Sequence, residues 1–600
     1  MRLKELLKPV GISLFFTVLF LHTFIFNLGS PVEFMRGDAW HVSFTLKHYM
    51  EILESGRFDQ ILNMRMFHGF ENTLLYSEIL FTQAVLAVPF YFLSGNIIFA
   101  YNAVCALTVF LNFLSMYLLV RYFTKQSLPA NAVKQTLSSI LGAIIFTFNP
   151  WNFAHFPDQL MHYSIYPMPL IILFFEKFLA SPKGKYIFLI ALFASIQLLS
   201  NMSYSGLLTM LLPIYFGFRV WQKRKEINFQ FSITNFQSKF NFQSIIWAVA
   251  GVILFLSVAG GLGYLYASFY IAENVERTSI IDTTFFAPWV SDLFFTSSNN
   301  LIYGGLRDFS IVNFPEYTFR SLETAERNLF WGITVIVLFV LSFKYLPKTQ
   351  FRNLWRVCLG LIVFCLVLSF GSVFRISENF AIPNIYGFFY DYHPLVHQLR
   401  VPSRFAIFIY LFLGLVCAIT LSEILKKVKG QTALQVGILV VALVALEYMN
   451  KPLGVGEFKA EAKEVYAQLN QEQEIEVILE LPMGNLFTPI RPAWDQFVDA
   501  RYMLYAETLH NKRLLNGYSS YSPPLYIKRL EYLSVNFPNA LKLKQIQEWG
   551  IDAVILHKDE FEQPGEYELI VRRMEDLEVP LLKSTENMSL FKIHAWKLAE

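Results

Sequence analysis

Apolar residues in this chain come mostly in long runs and seldom alternate with polar ones. Residues 10–31, 186–218 and 244–272 contain no Asp, Glu, Lys or Arg. A bilayer core takes roughly 20 apolar residues per helix, so such runs predict membrane-crossing α-helices. Short basic loops at 2–8, 121–134, 183–185, 219–225, 344–356 and 426–429 belong on the cytoplasmic side. An even number of spans must then separate each neighbouring pair. Three apolar runs, 10–28, 76–93 and 97–120, lie between the first two basic loops. The middle one holds Glu78 and ends at Ser94-Gly95-Asn96, so it is assigned to the interface or to a re-entrant position.

The same parity carries through the rest. Runs 137–150, 163–178, 244–266, 328–343, 354–370, 405–422 and 432–446 each supply one span. Run 186–218 is too long for one and is expected to turn back at Asn201-Met202-Ser203-Tyr204. The total is about eleven spans, each near the roughly 20-residue requirement. The N-terminus is then cytoplasmic and the C-terminus extracytoplasmic, in a multi-pass protein of the cell (plasma/inner) membrane.

Four segments share the outer face: 29–78, 151–162, 269–327 and 372–404. The tail from about residue 451 joins them and has a different pattern. Residues 474–481 (EIEVILEL) read as a strand, 540–549 as a helix and 551–556 as the strand after it. Stretches 568–571 and 589–594 read as further strands. The expected fold is a polytopic α-helical membrane domain over 1–450 with an extracytoplasmic α/β domain over 451–600.

Composition agrees. Of 600 residues, 54% are hydrophobic, 17% aromatic and 16% charged, which excludes an ordinary soluble domain. The net charge of +3 identifies no partner. Arg2, Lys4 and Lys8 before an apolar run mimic a secretion signal. The run is long and has no clear small-x-small cleavage site, so it is read as an uncleaved first span. Cys105, Cys358, Cys365 and Cys417 all lie in apolar runs, where thiols pack as small hydrophobes, so neither a disulfide framework nor a metal cluster is implied.

Three polar groups interrupt this pattern on the outer face. Met35-Arg36-Gly37-Asp38-Ala39-Trp40-His41 follows the first span directly. A carboxylate there is costly to place, and ionisable groups in membrane proteins mark functional sites. Asp38 suits a general base that takes the proton of an attacking hydroxyl. Glu33 is the substitute, with Trp40 and His41 beside it for substrate contact. The bland alternative is that Asp38 caps an interfacial helix over 39–53.

The second group, residues 151–162, offers His155, Asp158 and His162. Asp158 could assist Asp38, hold an acceptor, or with Asp38 bind Mg²⁺ or Mn²⁺; it could also simply cap the next helix. The third, residues 390–405, brings His393, His397, Arg400 and Arg404 to the mouth of an inward span. Arg presents a rigid fork of donors to phosphate, and the helix N-terminus near Ser403 adds attraction for an anion. Arg snorkelling to headgroups is the structural alternative. No P-loop, Rossmann fingerprint or nucleophile elbow is present, so a soluble nucleotide-sugar site has no support. The tail strings Leu481-Pro482, Leu514-Leu515-Asn516-Gly517-Tyr518-Ser519 and Tyr521-Ser522-Pro523-Pro524 suit carbohydrate contact but equally suit loops covering a sheet edge.

Asp38 in the first outer loop, Asp158 in the next and Arg400 with Arg404 in a late one resemble the GT-C superfamily of integral-membrane glycosyltransferases. The Arg-Val-Pro-Ser-Arg-Phe, Leu-Pro and Leu-Asn-Gly-Tyr-Ser strings look like those of YfhO-like bacterial membrane proteins. The resemblance implies a polyprenyl-phosphate-linked sugar as donor and inverting transfer to a glycan, lipid or protein acceptor on the outer face. It also implies Asp38 as base and a role in cell-envelope glycan biosynthesis. The paired acidic motif of the superfamily's metal-using oligosaccharyltransferases is missing from 269–327, which holds only scattered acids. No metal or other cofactor is therefore expected, with Mg or Mn at Asp38/Asp158 as the alternative. The competing reading is a lipid-linked glycan transporter or flippase without transferase activity. Transporters commonly carry internal repeats, and none is visible here. A non-catalytic anchor is a third reading, for which this many spans is excessive.

Overall fold

The structure is a computed structural model, which describes residues 3–31, 37–230, 242–274, 280–313, 325–397, 399–456, 458, 460–484, 498–561 and 563–597. Every run assigned to a span is helical. Among the described residues, seven helices are long and apolar enough to cross a membrane: Leu6–Ile25, Ile97–Ser127, Leu160–Ala180, Phe242–Ala272, Arg352–Ser369, Pro402–Lys427 and Gly430–Glu447. The other expected spans are shorter or less uniformly apolar. Ala132–Thr147 has 16 residues, Gly184–Ser200 has 17 and Ile333–Tyr345 has 13, while Met202–Gln230 has 29 but ends in a basic stretch. The expected hairpin does turn at Asn201, whose backbone is extended (φ −160°, ψ 110°) between two helices.

Local chemistry sets the boundaries. We label the first five helices α1 (Leu3–Ile25), α2 (Gly37–Ser55), α3 (Phe81–Ser94), α4 (Ile97–Ser127) and α5 (Ala132–Thr147). The Asn96 side chain accepts from the amides of Ile98 and Phe99 and starts α4; Asn131 accepts from Lys134 and starts α5. The demoted middle run becomes α3, closed by Gly95 in a left-handed conformation (φ 65°). At 1.5 Å per residue its 14 residues reach about 21 Å, short of a bilayer core of about 30 Å.

The helix Pro402–Lys427 is the axis of the bundle, with its apolar stretch fully enclosed by other helices. It crosses α5 at a contact of two glycines. A Cβ on Gly142 would lie 3.0 Å from the Gly414 carbonyl oxygen and 2.7 Å from Val120 Cγ2, and a Cβ on Gly414 would lie 2.9 Å from the Gly142 oxygen. Lipid tails are as apolar as Leu, so helices in a bilayer gain by close packing, and small residues permit it.

The tail forms a five-stranded sheet. Its strands are β3 (Val477–Leu481), β4 (Arg513–Leu514), β5 (Ala553–His557), β6 (Leu581–Ser584) and β7 (Met588–Lys592); β1 (Val373–Ser377) and β2 (Phe380–Pro383) make a separate hairpin. The order is β4-β3-β5-β7-β6, parallel from β4 to β5 and antiparallel beyond. Strands expected at 474–481, 551–556 and 589–594 correspond to β3, β5 and β7. The strand expected at 568–571 is instead part of the helix Glu566–Asp576. There Tyr567, Ile570 and Met574 are buried at a spacing of three and four, a helical period that a four-residue window hides.

The first interhelical loop adds itself to this sheet. The Leu514 amide donates to the Arg65 carbonyl at 2.8 Å, and the His68 amide to the Leu514 carbonyl at 2.9 Å. The C-terminal sheet is thereby fixed directly over α2. If the glycine crossing sets the axial contact, Gly414→Leu overpacks it and destabilises by about 1–3 kcal/mol. Thermal unfolding in detergent should show a lower Tm for Gly414→Leu and little change for a lipid-facing control such as Leu439→Ile.

Candidate active site

Asp38 lies in the first turn of α2, inside the helix, and does not cap it. Each of its oxygens receives a donor from elsewhere in the chain. Gln159 Nε2 donates to Oδ2 at 2.5 Å, and the Tyr518 hydroxyl donates to Oδ1 at 3.0 Å. Burial and the neighbouring Asp38 charge push the Tyr518 phenol well above its ordinary range, so it stays protonated and available as a donor. Asp158 stands at the same helix end, where its Oδ1 accepts from the Ala39 amide at 3.4 Å. A carboxylate there satisfies an otherwise orphaned N–H and meets the positive end of the helix dipole.

Both approaches are pinned by α4. The Tyr101 hydroxyl donates to the carbonyls of Pro157 (2.7 Å) and Asp158 (3.3 Å). Asn102 Nδ2 donates to the carbonyls of Leu28 (2.9 Å) and Ser30 (3.0 Å), holding the exit of α1.

Arg400 lies within electrostatic reach of Asp38 and Tyr518. Burial and then Arg404 lower its guanidinium, while Tyr518 and Asp38 counter. Its guanidinium lies over the Phe286 ring, 5.2 Å from the centroid. His41 is buried beside Asp38, with its ring edge-on to that of Tyr518 (centroids 6.3 Å apart). Burial drives it down to about 4, against the pull of Asp38, so it is neutral at physiological pH. Trp40 is partly buried beneath the Arg501 guanidinium (5.6 Å). Glu33 falls outside the described residues.

The remaining candidates form a second, adjoining knot. Arg404 donates through Nη1 to Ser203 Oγ (3.2 Å) and through Nη2 to His162 Nε2 (3.1 Å), and its Nε is 4.0 Å from Glu326. His155 stacks on Trp151 at 3.8 Å, donates from Nδ1 to the Trp151 carbonyl at 2.7 Å and places Nε2 3.3 Å from Glu326 Oε2. Burial works to raise the Glu326 carboxyl, but His155, Arg404 and Ser403 outweigh it and hold it below the ordinary range. Glu78 accepts from the amides of Met202 (2.5 Å) and Ser203 (3.3 Å), capping the helix Met202–Gln230; burial nonetheless pushes its carboxyl up. The third group is divided. His397 donates from Nδ1 to the Tyr390 carbonyl at 3.0 Å and lies against the Tyr390 ring, and His393 ends the helix Tyr386–Tyr392.

Sequence reasoning did not single out Gln159, Ser203, Glu326 or Tyr518 as site residues. The Leu-Asn-Gly-Tyr-Ser string was the available signal for Tyr518, and the structure explains its Asn, Gly and Tyr positions. Asn516 bridges β3, donating to the Glu480 carbonyl and accepting from the Glu480 amide, and it also donates to Asp499 Oδ1 at 2.9 Å. A Cβ on Gly517 would come within 2.5 Å of the Phe67 ring. The string is thus clamped between the sheet and the first loop, with Tyr518 presented to Asp38. Among the described residues no group of three or more His, Cys, Asp or Glu could hold a metal ion. Asp38 and Asp158, both engaged by donors, make a poor pair for the roughly six oxygen ligands of Mg²⁺.

A bundle of apolar helices carrying a C-terminal α/β domain is a fold this chain shares with solved structures. The chain is similar to the arabinofuranosyltransferase AftD from Mycobacteria, with a TM-score of 0.58 at 10% identity over 99% of this chain and 40% of AftD. A mutant form of AftD gives a TM-score of 0.56 at 11% identity, covering 99% and 42%. The chain therefore spans about two fifths of the length of AftD. ArnT from Cupriavidus metallidurans, solved bound to undecaprenyl phosphate, gives 0.42 at 14% identity over 99% of both chains. No family model and no curated protein matches the sequence.

Two outcomes test the site's construction. Removing a hydrogen bond to a charged group costs about 1.5–3 kcal/mol. In a cycle of Tyr518→Phe, Asp38→Asn and the double variant, unfolding should therefore show coupling, and additive effects would mean that the two side chains do not interact. Burial pushes the Asp499 carboxyl from 3.8 up to about 8. Its folded value is the higher one, so its contribution to stability is full below pH 3.8 and is lost as pH rises through about 8. Asp499→Asn should flatten the fall in Tm across that window.

Proposed function

We propose that this protein is a membrane glycosyltransferase that moves a sugar from a polyprenyl-phosphate-linked donor to an acceptor hydroxyl on the extracytoplasmic side. The observation that carries this reading is the held carboxylate of Asp38 with Arg400 within electrostatic reach of it, on a GT-C fold. Asp38 accepts two hydrogen bonds and keeps further lone pairs on each oxygen, so it can still receive a proton.

In the reaction the acceptor oxygen forms a bond to the sugar's anomeric carbon while the bond from that carbon to the donor phosphate breaks. The acceptor proton passes to Asp38, and the polyprenyl phosphate departs as an anion towards Arg400. A single displacement of this kind inverts the anomeric centre. Preorganised positive charge at the departing phosphate is where such a site gains most of its rate. The two terminal nitrogens of Arg404 are engaged by Ser203 and His162, so it contributes to the potential and to the position of Arg400. Trp40 and His41, beside Asp38 on α2, flank the approach on which the acceptor would lie. Asp158 steadies the α2 terminus that carries the base. The reaction is read as metal-independent.

Purified protein in lipid nanodiscs, given a panel of polyprenyl-phosphate sugars, should release polyprenyl phosphate in the presence of an acceptor. General-base catalysis contributes typically 10²–10⁴-fold, so Asp38→Asn should slow release by at least about 100-fold. Arg400→Gln should lower kcat by about 10²-fold, the scale of one lost charge-stabilising donor. EDTA should leave turnover unchanged. Equal release by wild type and Asp38→Asn would move the base to Asp158 or Glu33. No release from any donor would overturn the transferase reading.

A further inference from the structure

One outer-segment helix is built the wrong way round for a water-facing surface. In Gly304–Asn313 the polar side is turned inward. Arg307 is only 3% exposed and donates from Nη1 to the buried Asp292 Oδ1 at 3.0 Å. Ser310, one turn on, is fully buried and donates to the Arg307 carbonyl at 2.8 Å. Three apolar side chains point outward: Leu306 is 49% exposed, Phe309 57% and Val312 77%, with Asn313 exposed at the helix end and Leu301 and Ile302 just before the helix more than half exposed. A helix beside water buries its apolar face and shows its polar one. The reversal requires an apolar medium outside.

The height of the helix is fixed by hydrogen bonds. The Leu301 amide donates to the Met449 carbonyl (2.8 Å), Asn300 Nδ2 to the Glu447 carbonyl (2.8 Å) and the Lys451 amide to the Asn299 carbonyl (2.8 Å). Glu447 is the last residue of the membrane-crossing helix Gly430–Glu447, and its carboxylate also accepts from the Thr334 amide at the start of Ile333–Tyr345. The reversed helix therefore begins where two hydrophobic helices end. Its outward side continues their exposed apolar surface, which carries Leu443, Leu446 and Ile333.

We infer that Gly304–Asn313 lies in the membrane interface, with Leu306, Phe309 and Val312 inserted among the acyl chains of the leaflet on the C-terminal-domain side. Its partner is bilayer lipid. The segment leading to it carries Phe286 against Arg400, so the insertion also anchors one wall of the candidate site. The inference does not depend on the proposed activity.

The test uses full-length protein in phosphatidylcholine/phosphatidylglycerol nanodiscs. A nitroxide is attached at Phe309→Cys and, separately, at Val312→Cys, with Lys544→Cys on the exposed surface of the α/β domain as the aqueous reference. The four native cysteines are buried, and the unsubstituted protein measures their background labelling. Power saturation compares collision with dissolved oxygen, which concentrates in lipid, and with a nickel chelate, which stays in water. The oxygen-to-nickel ratio should be several-fold higher at both helix positions than at Lys544→Cys. A ratio equal to the reference would place the helix in water and overturn the inference. Shielding from both reagents would also overturn it, by showing a protein partner on this face.

Discussion

Asp38 can sit where it does only because two donors reach it from far along the chain. Gln159 is 121 residues away and Tyr518 is 480. Asp38 is half-buried, and a carboxylate drawn out of water carries a desolvation penalty unless hydrogen bonds compensate it. The compensation here demands that the membrane bundle and the α/β domain meet at one point. Much of the architecture serves that meeting. The first loop pairs with the sheet edge, and Ser43 donates to Glu507 at 2.5 Å across the α2 interface. Gly517 lets the Tyr518 loop lie on Phe67, and α4 holds the loops that carry Gln159 and Asp158. Loss of any of these contacts would leave the carboxylate correctly placed along the sequence but loosely held in space.

The neighbouring knot obeys the same rule with the sign reversed. Arg404 is a partly buried cation, and its forked donors are met by a hydroxyl and an imidazole, with Glu326 at 4.0 Å. Ser203 relays between Arg404 and Glu78, because its hydroxyl donates to the carboxylate at 3.1 Å while accepting from the guanidinium. The two arginines that the sequence places four residues apart thus have different surroundings. Arg404 is built into the bundle, and Arg400 shares its surroundings with Asp38 and Tyr518. A spacing of four puts two side chains near one another but does not decide which of them faces a substrate.

What the sequence revealed follows from the range of the physics involved. Spans were legible because a bilayer imposes one long-range rule on composition, and every apolar run is helical. Asp38 and Asp158 were legible because a carboxylate at the end of an apolar run is anomalous without reference to anything else. Tyr518 was not, since a Gly-Tyr in a polar string becomes special only when the fold brings α2 beneath it. Glu326 looked like one more scattered acid, and its partners His155, Ser403 and Arg404 come from two other segments. The helix Gly304–Asn313 shows a clear apolar face in the sequence, but periodicity gives the face and not the direction in which it points. Residues 568–571 were misread because four residues cannot separate a period of 2 from one of 3.6.

A candidate site at this junction also has a shape that matches the proposed donor. A polyprenyl-phosphate sugar has an apolar tail, a charged linkage and a polar head, and each needs a different medium. The exposed apolar surface of the bundle and its reversed interfacial helix offer the first. Arg400 and Arg404, at the mouth of the wholly enclosed axial helix, offer the second. Asp38, with Trp40 and His41 beside it on α2, offers the third. A soluble donor would gain nothing from the first of these, and a pure transport path would not need a carboxylate held so firmly on one face. Because Tyr518 belongs to the α/β domain, movement of that domain and the orientation of the base are mechanically one variable.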